Sequence, residues 1–188
     1  MKTAIIAPRL IKTNLSPSEL SNYRPVSNLS ILSKLLERLV VRRLLIHLDN
    51  NNLLPANQSA YRRFHSTETA LLRLVSDIVT ESETGKMTLL SLFDMSAAFD
   101  TVDHALLLSK LEQCYGICEK VYDWISSYLK DRSQTVHYQS SNSTRRVLKC
   151  GVPQGSVLGP VLFLLYTGKI NYVIGQYNLR SQCYADDC

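Results

Sequence analysis

No apolar run in the 188 residues is long enough to cross a bilayer: the longest, Val157 to Tyr166, has about ten residues, where a spanning helix needs about twenty. That stretch reads instead as a buried helix. Internal repeats, low-complexity tracts and Ser/Gly/Pro-rich linkers are also missing, so the chain reads as one continuous module. Residues 1–7 carry one lysine and some apolar character but no full hydrophobic core and no small-residue cleavage site. They are read as a strand, not a signal peptide. The five cysteines are scattered, and Cys114 and Cys118 have no second Cys/His pair with which to complete a zinc site. They are expected to be buried free thiols in a reducing compartment.

What is present is ordinary globular material, 45% hydrophobic and 20% charged, with a net charge of +5. The charge is uneven. Residues 1–63 hold ten Lys and Arg against three acidic residues, and the remainder holds eleven against thirteen. A basic half beside an acidic half suits a protein that grips a polyanion with one part and holds divalent cations with the other; a solvated surface gives the same pattern.

The apolar residues Ile31, Leu32, Leu35, Leu36, Leu39, Val40, Leu44 and Leu45 recur at helical spacing over 30–47, with Arg38, Arg42 and Arg43 elsewhere on the cylinder. Ser66 caps a second helix carrying Leu71, Leu72, Val75, Ile78 and Val79. Met87 to Asp94 is near-continuously apolar and ends in a carboxylate, which predicts a central buried strand with an acid at its tip. Helices are expected at 104–115, 119–130 and 156–166. A polar hairpin is expected at 134–150, turning at 140–143, and a short strand over 181–184. Strands and helices interleave without regular alternation, so the fold class is α+β.

Three groups of residues carry the chemistry. Asp186 and Asp187 are adjacent carboxylates after a short strand, repelling each other by about 4 kcal/mol at ~4 Å and an effective dielectric near 20. They fit either a solvated turn or a Mg²⁺ site with positions left open for phosphates and water, and Asp94 is then the natural third ligand. Asp100 and Asp103 read as helix-start residues, and His104 as a capping or surface histidine. Between the hairpin and the buried helix, Gly151-Val152-Pro153-Gln154-Gly155-Ser156 offers glycines for close backbone approach and an amide that both donates and accepts.

Asp94-Met95-Ser96-Ala97-Ala98-Phe99-Asp100, Gly151-Val152-Pro153-Gln154-Gly155-Ser156 and Tyr184-Ala185-Asp186-Asp187 stand in the order and spacing of reverse transcriptase motifs A, B and C. Upstream, Asn22 to Leu29, Lys34-Leu35-Leu36-Glu37 and Gln58 to Thr67 resemble the finger motifs of LINE-type (non-LTR) retrotransposon enzymes of the jockey-like group. The resemblance covers essentially the whole chain. It implies a right-hand polymerase with mainly fingers over 1–86 and mainly palm over 87–188, an antiparallel palm sheet packed on helices. It also implies RNA-directed DNA synthesis from an RNA template, a DNA primer and dNTPs in the cytoplasm and nucleus, with no membrane. Asp94, Asp186 and Asp187 would hold two Mg²⁺ ions, with Mn²⁺ as a substitute. Phe99 would be the steric gate against ribose, Gln154 and Gly155 would line the nucleotide pocket, and Tyr184 would lie against the primer terminus. Either Arg62 or Arg63 would reach the triphosphate.

The chain departs from the pattern in places. Ala60-Tyr61-Arg62 stands where many relatives have Gly-Phe-Arg, and Phe64 where glycine is frequent, which predicts a stiffer finger loop. No thumb, primer grip or return strand follows Cys188, so the expectation is a partial domain, inactive in isolation. Two other readings remain at this point: a non-catalytic RNA-binding or degenerate remnant, and an RNA-dependent RNA polymerase, against which Phe99 and Pro153-Gln154-Gly155 argue.

Overall fold

The computed structural model describes residues 2–55, 57–95 and 97–188. Met1 and Ser96, which belong to the expected first strand and to motif A, lie outside the described residues. The fold is α+β. Strands β1 (Thr3–Leu10) and β2 (Tyr23–Asn28) are followed by helices α1 (Ile31–Asn50), α2 (Thr67–Glu83), α3 (His104–Tyr115) and α4 (Glu119–Leu129). Three further strands come next, β3 (Ser133–Tyr138), β4 (Ser141–Asn142) and β5 (Arg146–Val147), and then helices α5 (Gly159–Thr167) and α6 (Lys169–Gln176).

Local chemistry sets the helix starts. The Ser30 side chain accepts the Ser33 amide at the head of α1, and Ser66 and Thr69 form a reciprocal capping box on α2. Asp103 accepts the Leu106 amide at 2.7 Å and starts α3. Gly116, at φ +63, ends that helix in the left-handed conformation that glycine adopts without strain.

The sheet is mixed, in the order β2-β1-β3-β4, with β5 also on β3. β1 runs antiparallel to β2 and parallel to β3, so Thr3 faces Ser133 and Ile5 faces Thr135. The core gathers Leu44 and Leu48 of α1, Leu107 and Leu111 of α3, Ile125 and Leu129 of α4, and all of α5 from Val161 to Leu165. α5 is buried on every side, as its unbroken apolar composition requires. No described helix is long and apolar enough to cross a membrane.

Several elements differ from expectation. Residues 87–93 form no strand, and Met87, Leu89, Leu92 and Phe93 are exposed. Their backbone finds a ladder only at the C-terminal end, where Phe93 and Cys188 exchange bonds at 2.6 and 2.9 Å. Antiparallel pairing at this site therefore consists of the bridges Asp94 to Asp187 and Tyr184 to Asp187. On α1, only the stripe from Val40 onward meets the core, and Ile31, Leu32 and Leu39 remain exposed. The α2 leucines Leu71 and Leu72 are exposed too. That helix is tied down by Arg180, which reaches Asp77 at 3.2 Å and Glu81 at 2.9 Å.

The hairpin turns at Gln139 and Ser140, one step before the expected serines, because Tyr138 pairs with Ser141. β2 and α6 were not anticipated. Cys114, Cys118 and Cys150 are free thiols, but Cys118 and Cys150 are exposed and Cys114 is half-buried, and Cys183 and Cys188 are joined as a disulfide.

Candidate active site

The three motifs meet through backbone contacts. Asp94 lies opposite Asp187 in an antiparallel bridge, and the Met95 amide donates to the Asp186 carbonyl at 3.3 Å. Residues directly opposite in such a bridge project to the same face, with Cβ atoms roughly 4.5–5.5 Å apart. Asp94 and Asp187 are therefore the two carboxylates the register pairs.

Asp186 sits in the tight turn that this bridge closes. Tyr184 and Asp187 exchange bonds at 2.8 and 3.1 Å, and between them Ala185 has φ +58 while Asp186 does not enter the left-handed region. Left-handed backbone at the first central position alone is the sign pattern of a type II′ turn, where glycine is preferred. The Cys183–Cys188 disulfide brackets the turn.

Among the described residues no three His, Cys, Asp or Glu side chains gather closely enough to hold a metal ion. The donor set nonetheless fits a hard divalent cation. Two carboxylates placed side by side on one face by the register carry a charge conflict that such an ion would relieve.

Motif B docks on motif A from the other side. The Gly151 and Val152 amides donate to the Val102 and Phe99 carbonyls, both at 2.7 Å, and the His104 ring meets the Gly151 carbonyl at 2.7 Å. Gly151 has φ +87, and a Cβ there would lie 2.9 Å from the Asp100 carbonyl oxygen, so only glycine fits. The Gln154 carbonyl accepts the Ser27 amide of β2 at 2.8 Å. Its side-chain amide donates to Asp100 Oδ2 at 3.2 Å.

Partial burial pushes the Asp100 carboxyl above the usual range, and the Gln154 bond offsets part of that shift. Asp103, not Asp100, is the helix-start residue. Asp100, Lys149, Gln154 and Gln134 line a cleft of about 340 Å³ between the sheet and the motif B loop. The half-buried Phe99 ring packs on Phe163 with centroids 5.0 Å apart. A larger cleft of about 460 Å³ between α1 and α4 contains none of the candidate residues.

In the loop between α1 and α2 the two arginines separate. Arg62 is half-buried and donates to the Pro55 carbonyl at 3.1 Å, whereas Arg63 is exposed with its guanidinium over the Phe64 ring. Tyr61 lies beside the turn: burial raises its phenol above the ordinary range, and the neighbouring Asp186 and Tyr184 raise it further. Tyr61 and Phe64 have φ +55 and +64, so the loop holds two bulky residues in the left-handed region, Phe64 at the position where the resemblance places glycine.

Two buried polar residues belong to the site without having been singled out from sequence. Glu37 of α1 accepts the amides of Val157 and Leu158 at 2.7 and 3.1 Å, capping the entry to α5 just after motif B. Its signal was legible: the buried stripe Leu48, Leu44, Val40 continues one turn back to Glu37, an acid on an apolar face. Gln58 accepts the Ala185 amide at 3.0 Å and donates to the Ala185 carbonyl at 3.1 Å. Nothing local in the sequence around Gln58 announces that contact.

Among curated proteins, the chain is 39% identical over 149 residues to the probable RNA-directed DNA polymerase from transposon BS of Drosophila melanogaster, covering 79% of this chain and 16% of that protein. It is 34% identical over 155 residues to the RNA-directed DNA polymerase from mobile element jockey of the same species, covering 82% of this chain and 17% of that one. The chain thus spans about a sixth of the length of these relatives. Its fold is shared with telomerase from Candida albicans, solved in complex with a TWJ fragment of telomeric RNA. The TM-score there is 0.62 at 13% identity, over 100% of this chain and 38% of that one. The family described as reverse transcriptase (RNA-dependent DNA polymerase) matches residues 12–188, and the chain belongs to that family.

Proposed function

We propose that this chain supplies the fingers (1–86) and palm (87–188) of an RNA-directed DNA polymerase that copies retrotransposon RNA into DNA. The observation that carries the reading is the bridge between Asp94 and Asp187 beside the Tyr184–Asp187 turn. Asp94, Asp186 and Asp187 would hold two divalent cations, Mg²⁺ or Mn²⁺. When bound, such ions lower the pKa of a primer 3′-hydroxyl and neutralise charge that builds at the α-phosphate during in-line attack.

The protein's own groups do the positioning. Gln154 and Gly155 form one wall of the nucleotide pocket, and Phe99 blocks a ribose 2′-hydroxyl. Arg63, exposed at the finger loop, is the readier partner for a triphosphate, with Arg62 bracing the loop through Pro55. Tyr184 lies against the primer end. RNA template, DNA primer and dNTP are the implied partners.

The 188 residues alone are read as a very poor catalyst. Segment 87–93 is unpaired along most of its length, and misplacement of reacting groups by 1 Å costs about a hundredfold. The test is primer extension on an RNA template by a jockey-like polymerase in which these residues replace the corresponding segment. Asp94→Asn and Asp186→Asn should each abolish Mg²⁺-dependent DNA synthesis, while the isolated chain should give none measurable. Synthesis retained in either variant would overturn the assignment.

A further inference from the structure

The side chain of Gln58 is almost fully enclosed, at 5% exposure, and all its hydrogen bonds go to backbone. Oε1 accepts the amides of Ala60 at 2.9 Å and Ala185 at 3.0 Å, and Nε2 donates to the Ala185 carbonyl at 3.1 Å. A primary amide that pairs with both polar groups of one residue acts as a strand neighbour would. Here the residue it pairs with is the one between Tyr184 and Asp186.

Ala185 needs such a partner. At φ +58 it occupies the left-handed region, which disfavours any residue with a Cβ. The backbone around Gln58 is itself fastened to the same hairpin: Gln58 bridges Cys183 in parallel, Ser59 donates to the Cys183 carbonyl at 3.0 Å, and Cys183 donates to the Asn57 carbonyl at 2.8 Å. The finger segment is therefore docked before its glutamine reaches the turn, so little side-chain freedom is left to lose.

We propose that Gln58 is a positioning residue for the metal-binding turn: its amide holds the Ala185 peptide in the left-handed conformation and so sets the direction of Asp186 and Asp187. The role as a metal turn rests on the function proposed above. The hold on Ala185 does not. Because Gln58 lies in the finger segment, 127 residues from Ala185, the contact also couples the finger loop to the carboxylates.

The discriminating experiment uses the 188-residue chain, isotope-labelled, with two readouts: NMR of residue 185 (amide exchange and the φ-dependent coupling) and Mn²⁺ affinity by electron paramagnetic resonance. Gln58→Leu should speed Ala185 amide exchange by roughly tenfold or more and weaken Mn²⁺ binding by about tenfold, as expected for lost buried hydrogen bonds. Adding Ala185→Gly should recover a large part of the Mn²⁺ affinity, because glycine adopts positive φ unaided. A merely structural glutamine would not be rescued by a change at 185.

Unchanged exchange and coupling in a folded Gln58→Leu chain would overturn the proposal, as would a lost affinity that Ala185→Gly does not restore. If Gln58→Leu unfolds, Gln58→Met of equal length is read in the same way. Unfolding of both that Ala185→Gly does not reverse would mark Gln58 as core only and also overturn it. Mn²⁺ binding untouched by Asp94→Asn and Asp186→Asn would sink the metal-site reading alone, leaving the NMR readout to decide the role of Gln58.

Discussion

The Glu37 carboxylate on α1 accepts the Val157 amide at 2.7 Å across 120 residues of chain, and at 1% exposure it does so out of contact with water. Its second oxygen accepts the Ser33 hydroxyl at 3.1 Å. An acid on α1 thereby satisfies amides at the start of α5 that no side chain within α5 caps. It also fixes motif B relative to α1. Burial pushes the adjacent Tyr128 phenol up to about 12, with Ser156 opposing the shift and the Glu37 charge adding to it.

Replacing Glu37 with glutamine keeps the shape and one oxygen for the Val157 and Leu158 amides, but removes the charge and turns the oxygen that accepts the Ser33 hydroxyl into a donor. The expected cost is about 1–2 kcal/mol, the difference between hydrogen bonds to a charged and to a neutral acceptor. Urea denaturation of Glu37→Gln beside wild type measures it. A change under about 0.5 kcal/mol would show that a neutral amide oxygen serves the two amides as well as the carboxylate does.

Phe64 is exposed and left-handed, at φ +64. Relief of that strain is worth roughly 1–2 kcal/mol, against roughly 0.5–1 kcal/mol of extra chain entropy for glycine. Phe64→Gly is therefore expected to stabilise the chain by about 0.5–1 kcal/mol, read as a higher melting temperature. A loss of stability would mean that the Arg63 contact over the ring outweighs the strain.

Asp100 has its pKa raised chiefly by burial. An acid shifted in that direction favours the fold while protonated, below its unfolded pKa of about 4, and loses that contribution as pH climbs through the folded value. Asp100→Asn carries no charge and still offers Gln154 an acceptor. Its melting temperature should exceed wild type at pH 7 and converge with it near pH 3. A difference constant with pH would rule out titration as the cause.

Phe99 is braced by Phe163, so its ring is not free to swing away from a bulkier sugar. In the chimeric polymerase, Phe99→Val is expected to raise rNTP over dNTP incorporation by roughly tenfold or more, since steric rejection is relieved only for the ribose. An unchanged ratio of kcat/KM values would place the gate elsewhere.

Local chemistry was enough for the elements that depend on near neighbours. Ser30, Ser66 and Asp103 mark the starts of α1, α2 and α3 because a cap satisfies amides only two or three positions away, and α5 is buried because no face of it is polar. The carboxylates of the site were legible as residue types for the same reason: adjacent acids after an apolar stretch conflict unless something offsets them. Sequence pattern could not say which acid faces which. The register that sets Asp94 opposite Asp187, rather than Asp186, is decided by backbone bonds between segments more than ninety residues apart, and a one-residue slip would exchange the two. Nor could it show that Met87 to Phe93 stays exposed, since burial of an apolar stretch needs a partner on each side and composition reports only the stretch. Glu37 and Gln58 are the clearest case. Glu37 stands out as an acid on the apolar stripe of α1 and Gln58 does not, but for both it is the fold, by removing water, that makes the Val157 and Ala185 peptides the required partners.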